Sequence, residues 1–319
     1  VNPVERKAEQ GADRLDGVVI SLNTPFTEDD RIDFAAVERA VEWHLAAGAV
    51  GFLAPAQAGE VLELSPTERL DLLGCLRDVT SRRAWLIGGA TANDESEGCE
   101  AAAAAIRIGC DYVLSEIPTG STREEVVAFC QRLAALGTER LMLQDLDFRG
   151  GGAAVELIVE LFERIEPFGW LKVETTPAGP KYSAVREATG GQLHVSGGWA
   201  SMQLIEALDR GVRTFMVTEL TGRFARTLAQ YAAGDRAAAR ATFEQMLPVL
   251  AFTRQHLDVS IHFHKQLMYR RGIFATPHVR KRTIPWDAAW QRCADELIDR
   301  LLAEEITTRE GRCGALGEI

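Results

Sequence analysis

Gly169-Trp170-Leu171-Lys172-Val173-Glu174-Thr175-Thr176-Pro177 reads as a short apolar strand that carries one lysine and ends at a proline. Lysine is scarce in this chain. Five residues (Lys7, Lys172, Lys181, Lys265, Lys281) stand against thirty arginines. An ammonium group in a buried strand is costly unless paired. Desolvation also lowers the pKa of an amine, and an amine that gives up its proton readily suits Schiff-base chemistry. Lys172 is therefore the first candidate for a catalytic residue.

Working outward, the strand belongs to a regular alternation. β-rich runs occur at 17–22, 50–54, 84–89, 112–117, 141–146, 170–173, 194–197 and 214–218. Between them lie segments with helical apolar spacing at 34–47, 66–78, 99–108, 123–136, 154–165, 182–189 and 202–210. Ser65 with Glu68 three residues later forms a capping-box pattern. Gly48, Gly109, Gly137 and Gly211 stand where helices should stop. Eight strands alternating with helices predict an α/β protein, a (β/α)8 TIM barrel. An open doubly wound sheet is the alternative. Its dinucleotide-binding form would show a glycine fingerprint after the first strand, and Leu22-Asn23-Thr24-Pro25-Phe26 stands there instead.

After Thr218 the alternation stops. Helices are expected at 224–233, 236–253, 261–271 and 286–303. The expected organisation is an N-terminal segment at 1–16, a catalytic barrel at 17–223, a C-terminal helical extension at 224–305 and a flexible tail at 306–319.

Composition narrows the class. A net charge of −11 disfavours nonspecific binding to nucleic acid or anionic membranes. No run approaches the roughly 18 apolar residues of a membrane span. The charged opening Val1-Asn2-Pro3-Val4-Glu5-Arg6-Lys7 predicts no signal peptide. Cys75, Cys99, Cys110, Cys130, Cys293 and Cys313 show no CxxC spacing, which suits free thiols in a reducing cytoplasm. His262 and His264 are two apart and do not share a helix face, so no metal pair is expected. Gly150-Gly151-Gly152 lacks the following Lys-Ser/Thr of a P-loop. No cofactor is expected.

In a parallel barrel the chemistry lies at the C-terminal ends of the strands. Gln57-Ala58-Gly59-Glu60 follows strand two, and Gln144-Asp145 ends strand five with Arg149 just beyond. Ser196-Gly197-Gly198-Trp199 ends strand seven, and Thr218-Glu219 ends strand eight. In this order the motifs resemble the dihydrodipicolinate synthase / N-acetylneuraminate lyase family, class I aldolase-type barrels with a C-terminal helical domain. The resemblance spans about 17–303. Thr24-Pro25-Phe26 matches the family's opening element. Ala56-Gln57-Ala58-Gly59-Glu60 matches its Gly-Thr-Thr-Gly-Glu loop, and Ser65 and Glu68 continue that pattern. Lys172 falls on its Schiff-base lysine, and Ser196-Gly197 falls on its Ser-Gly element.

The resemblance implies a pyruvate-type 2-oxo acid as substrate, with Lys172 and Gln144 catalytic. Gln57, Ala58, Gly59, Asp145, Arg149, Gly197 and Phe215 are implied as substrate contacts. It also implies a homo-oligomer, dimer or tetramer. The departures are substantial. Two threonines that hold the keto-acid carboxylate become Gln57 and Ala58. The catalytic tyrosine of strand five becomes Gln144, whose amide does not titrate in the useful range. The Tyr-Tyr pair after strand four is replaced by Pro118-Thr119-Gly120. These exchanges argue against dihydrodipicolinate synthesis itself.

The expected chemistry is imine formation at Lys172, then aldol cleavage or addition through an enamine. Two alternatives stay open: dehydration of a 2-keto-3-deoxy sugar acid, and a catalytically impaired barrel that binds a keto acid. Gln144 reads equally as a catalytic amide or a space-filling one, and Arg149 as a substrate ligand or a solvated loop residue. Glu60 reads as structural. Glu174, Asp145 and Glu219 are the candidates for moving protons, and strand periodicity puts Glu174 on the same side as Lys172.

Overall fold

The computed structural model describes residues 15–314. Eight strands follow one another around a closed parallel barrel. They are β1 (Gly17–Ser21), β2 (Ala49–Ala54), β3 (Trp85–Gly89), β4 (Tyr112–Glu116), β5 (Leu141–Asp147), β6 (Phe168–Thr175), β7 (His194–Gly197) and β8 (Thr214–Val217). β8 pairs with β1, so no strand edge is left open.

Alternate residues of each strand enter different layers. Val19, Leu53, Ile87, Tyr112, Leu114, Met142, Trp170 and Met216 form one apolar cluster that fills the inside of the barrel. Tyr112 meets Trp170 edge to face at 5.0 Å within it. The intervening residues, among them Val18, Ile20, Phe52, Leu143, Leu171, Val173 and Phe215, join the larger cluster under the helices.

Seven helices connect the strands: α1 (Phe34–Ala46), α2 (Pro66–Thr80), α3 (Glu95–Ile108), α4 (Arg123–Ala135), α5 (Val155–Arg164), α6 (Gly179–Ala188) and α7 (Leu204–Asp209). The Ser65/Glu68 capping box is present, and Thr122 with Glu125 forms another. Helix α3 starts four residues earlier than the apolar spacing predicts. Asp94 accepts the Glu97 N–H as its N-cap, and the polar first turn carries no apolar signal. Gly109, at φ 81°, ends the same helix in a conformation that costs a side chain dearly.

Helix α8 (Thr221–Ala232), expected in the C-terminal extension, packs against β1 and β2 and completes the outer layer. Beyond it lie α9 (Arg236–Glu244), α10 (Leu247–Thr253), α11 (Leu257–Arg270) and α12 (Ala288–Gly314). The single helix expected over 236–253 is two. Pro248 lacks an N–H and its ring conflicts with the turn before it, so a new helix starts there. Helix α12 runs on to Gly314, past the 303 at which its end was expected; residues 1–14 and 315–319 lie outside the described residues.

Helix α11 lies against the turn after β2 and is pinned to the barrel through ions. Lys265, fully buried, pairs with Glu60, and Arg271 pairs with Glu219. Among the described residues, no helix is long and apolar enough to cross a membrane.

Candidate active site

The alternation that buries Trp170 inside the barrel carries Lys172 and Glu174 to the same side, one and two steps nearer the C-terminal mouth. Lys172 is 4% exposed. Its amine lies 3.2 Å from Glu174 Oε2. Register places Gln144 of β5 and Ser196 of β7 on either side of Lys172. Gln144 Nε2 donates to Glu174 Oε2, and the Trp199 backbone N–H donates to Oε1 at 2.6 Å. The carboxylate is thus fixed at both oxygens over the lysine. Gly198 makes this possible, because a Cβ there would stand 2.6 Å from Glu174 Cδ.

A second polar group lies across Gln144. Glu116, in register with Gln144, accepts hydrogen bonds from Gln57 Nε2 and Thr91 Oγ1, each at 3.0 Å. Gln57, Ala58 and Gly59 form a single 3₁₀ turn after β2. Asn23 donates to the Ala58 carbonyl at 2.5 Å and Thr24 to the Gly59 carbonyl at 2.7 Å, fixing the turn to the end of β1. A Cβ at Gly59 would stand 2.6 Å from the Leu22 carbonyl oxygen, so the turn needs glycine to approach so closely. Glu60, at φ 58°, turns away from the mouth to meet Lys265 and the Arg280 N–H.

The remaining sequence candidates divide by strand face. Asp145 is next to Gln144 and points the other way, where it pairs with Lys181 of α6 and accepts the Ala153 N–H at 2.9 Å. Lys181 also donates to the carbonyls of Gly151 and Ala153. Asp147 accepts N–H groups from Arg149, Gly150 and Gly152, and those bonds hold its carboxyl below the usual range. The loop bearing Arg149 is therefore tied at its base, with Arg149 itself exposed. Gly197 and Phe215 pair across β7 and β8 on the outer face. A Cβ at Gly197 would stand 3.1 Å from the Phe215 ring and 2.9 Å from Tyr182 Oη. Both belong to the packing beneath the helices, apart from Lys172, Gln144 and Gln57.

Glu219 is buried beyond β8 between Arg271 and His44 Nε2, the latter at 3.7 Å. Burial raises its pKa against the opposing pull of Arg271. Two groups at the mouth, Glu116 and Arg254, were missed in the sequence, and Trp199 stood there only as the last residue of the strand-seven stretch. Glu116 was hidden as a charged residue at a strand end, although its spacing from Leu114 gives its face. Trp199 touches Phe148, with ring centroids 4.7 Å apart and planes tilted by 40°, and the Arg254 guanidinium lies 4.7 Å from its ring. Arg254 arrives from the turn between α10 and α11. Burial lowers its pKa to about 10, with the Glu174 charge acting the opposite way. No local signal marks Arg254.

His262 and His264 do not form a pair. His264 Nδ1 lies 3.2 Å from Ser260 Oγ, while His262 packs on Trp286 with centroids 3.9 Å apart. Among the described residues, no cluster of three or more His, Cys, Asp or Glu is placed to hold a metal.

A model of the dihydrodipicolinate synthetase family matches residues 14–300. The 4-hydroxy-tetrahydrodipicolinate synthase of Laribacter hongkongensis is 33% identical over 104 residues, 33% of this chain and 36% of that protein. That of Leuconostoc mesenteroides is 27% identical over 221 residues, 68% of this chain and 67% of that protein. The chain thus aligns with about a third of the first relative's length and two thirds of the second's. Among solved structures, the 4-hydroxy-tetrahydrodipicolinate synthase of Methylacidiphilum fumariolicum SolV superposes with a TM-score of 0.83 at 19% identity. The match covers 93% of this chain and 99% of that one. The dihydrodipicolinate synthase of Aquifex aeolicus gives 0.81 at 17% identity, covering 91% and 98%. These two likenesses concern the fold. With the family model matched across the whole barrel and most of the extension, the chain belongs to the dihydrodipicolinate synthetase family.

Proposed function

We propose that this protein is a lyase that joins a pyruvate-type 2-oxo acid to Lys172 as a Schiff base and carries out aldol cleavage or addition. The observation that carries the reading is the buried amine of Lys172 inside the barrel near the C-terminal end of β6, 3.2 Å from Glu174 and with Gln144 and Ser196 in register on the neighbouring strands. A protonated imine withdraws electrons from C2, so C3 can lose a proton or a carbon substituent to give an enamine.

The turn Gln57–Gly59 is the proposed seat of the substrate carboxylate. The first N–H groups of a helical turn have no partner within it, and Asn23 and Thr24 hold the turn in place. Gln144 is assigned a positioning role through its bond to Glu174. Arg149, exposed on an anchored loop, is the proposed contact for a distant anionic group of a second substrate. Asp145, Gly197 and Phe215 support the site by holding that loop and the outer packing.

A second reading on the same imine, dehydration of a 2-keto-3-deoxy sugar acid, draws on Glu116 beside Gln144. A carboxyl group there is suited to bind or protonate a departing hydroxyl. Incubation with a set of 4-hydroxy- and 3-deoxy-2-oxo acids, scored for pyruvate release against water loss, separates the two. Lys172→Ala should abolish whichever product appears; undiminished turnover in that variant refutes both. Family resemblance also supports a homo-oligomer, dimer or tetramer, and cysteines without CxxC spacing suit a reducing cytoplasm; light scattering reads the assembly directly.

A further inference from the structure

We propose that Glu174 is the acid–base group of the reaction at Lys172, in the role that a phenol on strand five would otherwise fill. The inference rests on the Schiff-base reading and adds a catalytic residue to it. Gln144, at the strand-five position, has no titrating proton to give. Glu174 is the carboxylate beside the amine, 3.2 Å away, and its two oxygens are held by separate donors.

The other acidic candidates are engaged elsewhere. Asp145 faces α6 and Lys181, and Glu219 faces Arg271 and His44. Glu116 is held by Gln57 and Thr91 on the far side of Gln144. The Tyr182 phenol is buried in the outer layer, and burial raises its pKa, so it is a poor relay into the barrel.

The steps balance with Glu174 alone. Its carboxylate takes a proton from the Lys172 ammonium and frees the amine. Nitrogen adds to C2 of the 2-oxo acid as the carbonyl π bond breaks, and the oxygen takes the proton from the Glu174 carboxyl. Glu174 next removes a proton from the new ammonium nitrogen and returns it to the C2 hydroxyl. The C–O bond breaks, water leaves, and the nitrogen pair forms the protonated imine. Glu174, again a carboxylate, removes a proton from C3. The C–H pair becomes the C2–C3 double bond, and the imine π pair moves to nitrogen. Positioned acid–base groups of this kind contribute about 10²–10⁴-fold.

The test separates imine formation from proton transfer at C3. Wild type, Glu174→Gln and Glu174→Asp are incubated with pyruvate in D2O. Methyl exchange is followed by NMR, and imine is trapped with borohydride and located by mass spectrometry. In Glu174→Gln, the Lys172 adduct should still accumulate on long incubation, while exchange falls about 100-fold or more. Glu174→Asp, a carboxylate set back by one methylene, should recover at least about tenfold over the glutamine variant. Exchange within about threefold of wild type in Glu174→Gln, or no recovery in Glu174→Asp, overturns the assignment and leaves the Schiff base standing. Absence of an adduct in wild type removes the Schiff base itself and this role with it. Should Glu174→Gln not fold, Glu174→Asp against wild type decides: exchange slowed about tenfold with the adduct retained supports the role, and equal exchange refutes it.

Discussion

The carboxylate of Glu174 stands 3.2 Å from the amine of Lys172, two residues earlier on the same strand. A period of two puts both side chains inside the barrel, and β5 and the turn after β7 each donate a hydrogen bond that fixes the carboxylate. A pair so enclosed is a weak source of stability, because desolvation offsets its attraction. Its placement is better explained by chemistry at the amine.

The room beside that carboxylate is set by one missing side chain. Gly198→Ala would place a Cβ 2.6 Å from Glu174 Cδ, so the carboxylate must swing off Lys172. Displacements near 1 Å in a reacting site cost about 10²-fold. The expected result is a drop of about that size in pyruvate methyl exchange, with the Lys172 adduct still trappable. Exchange at the wild-type rate would show that the position of Glu174 is unimportant.

Asp145 and Lys181 make a buried pair in the outer layer. Lys181→Met leaves Asp145 charged and unpaired, and should lower unfolding stability by about 3–5 kcal/mol in urea titrations. The double variant Asp145→Asn with Lys181→Met should recover part of that loss, because it removes the stranded charge. A loss under about 1 kcal/mol in the single variant would mean that the pair is solvated.

His44 gives the fold an acid-sensitive point. Burial lowers its pKa from 6.5 to about 3, with the nearby Arg271 charge acting in the same direction. Between those pH values the unfolded chain binds a proton that the folded chain refuses, so stability falls as pH drops from 6.5 toward 3. Burial lowers His262 to about 4 and adds to the same slope. His44→Asn keeps a donor near Thr221 Oγ1, 2.8 Å from His44 Nδ1 in the wild type, and removes the titration. Urea midpoints between pH 4 and 7 should vary less steeply in this variant. An unchanged slope would assign the acid sensitivity to other groups.

Much of the barrel is legible in the chain because alternation of short apolar runs with amphipathic segments is a local signal. Lys172 is conspicuous as a charge in such a run, and period two already aligns Glu174 with it. The same rule, applied to neighbours, separates what a strand-end position alone leaves together. Gln144 and Asp145 are adjacent, yet one faces Lys172 and the other faces α6. Gly197, at the end of β7, and Phe215, its register partner in β8, likewise lie on the outer face. Lys265 against Glu60, Arg271 against Glu219 and Arg254 against Trp199 join the C-terminal helices to the loops of the barrel. They are distant in sequence, and nothing local marks them.

The most direct measurement of the central claim is borohydride reduction in the presence of pyruvate, followed by peptide mapping. A stable adduct on Lys172, absent without pyruvate and absent in Lys172→Ala, is the predicted result. An unmodified Lys172 after reduction with saturating pyruvate, or an adduct on another lysine that persists in Lys172→Ala, would contradict it.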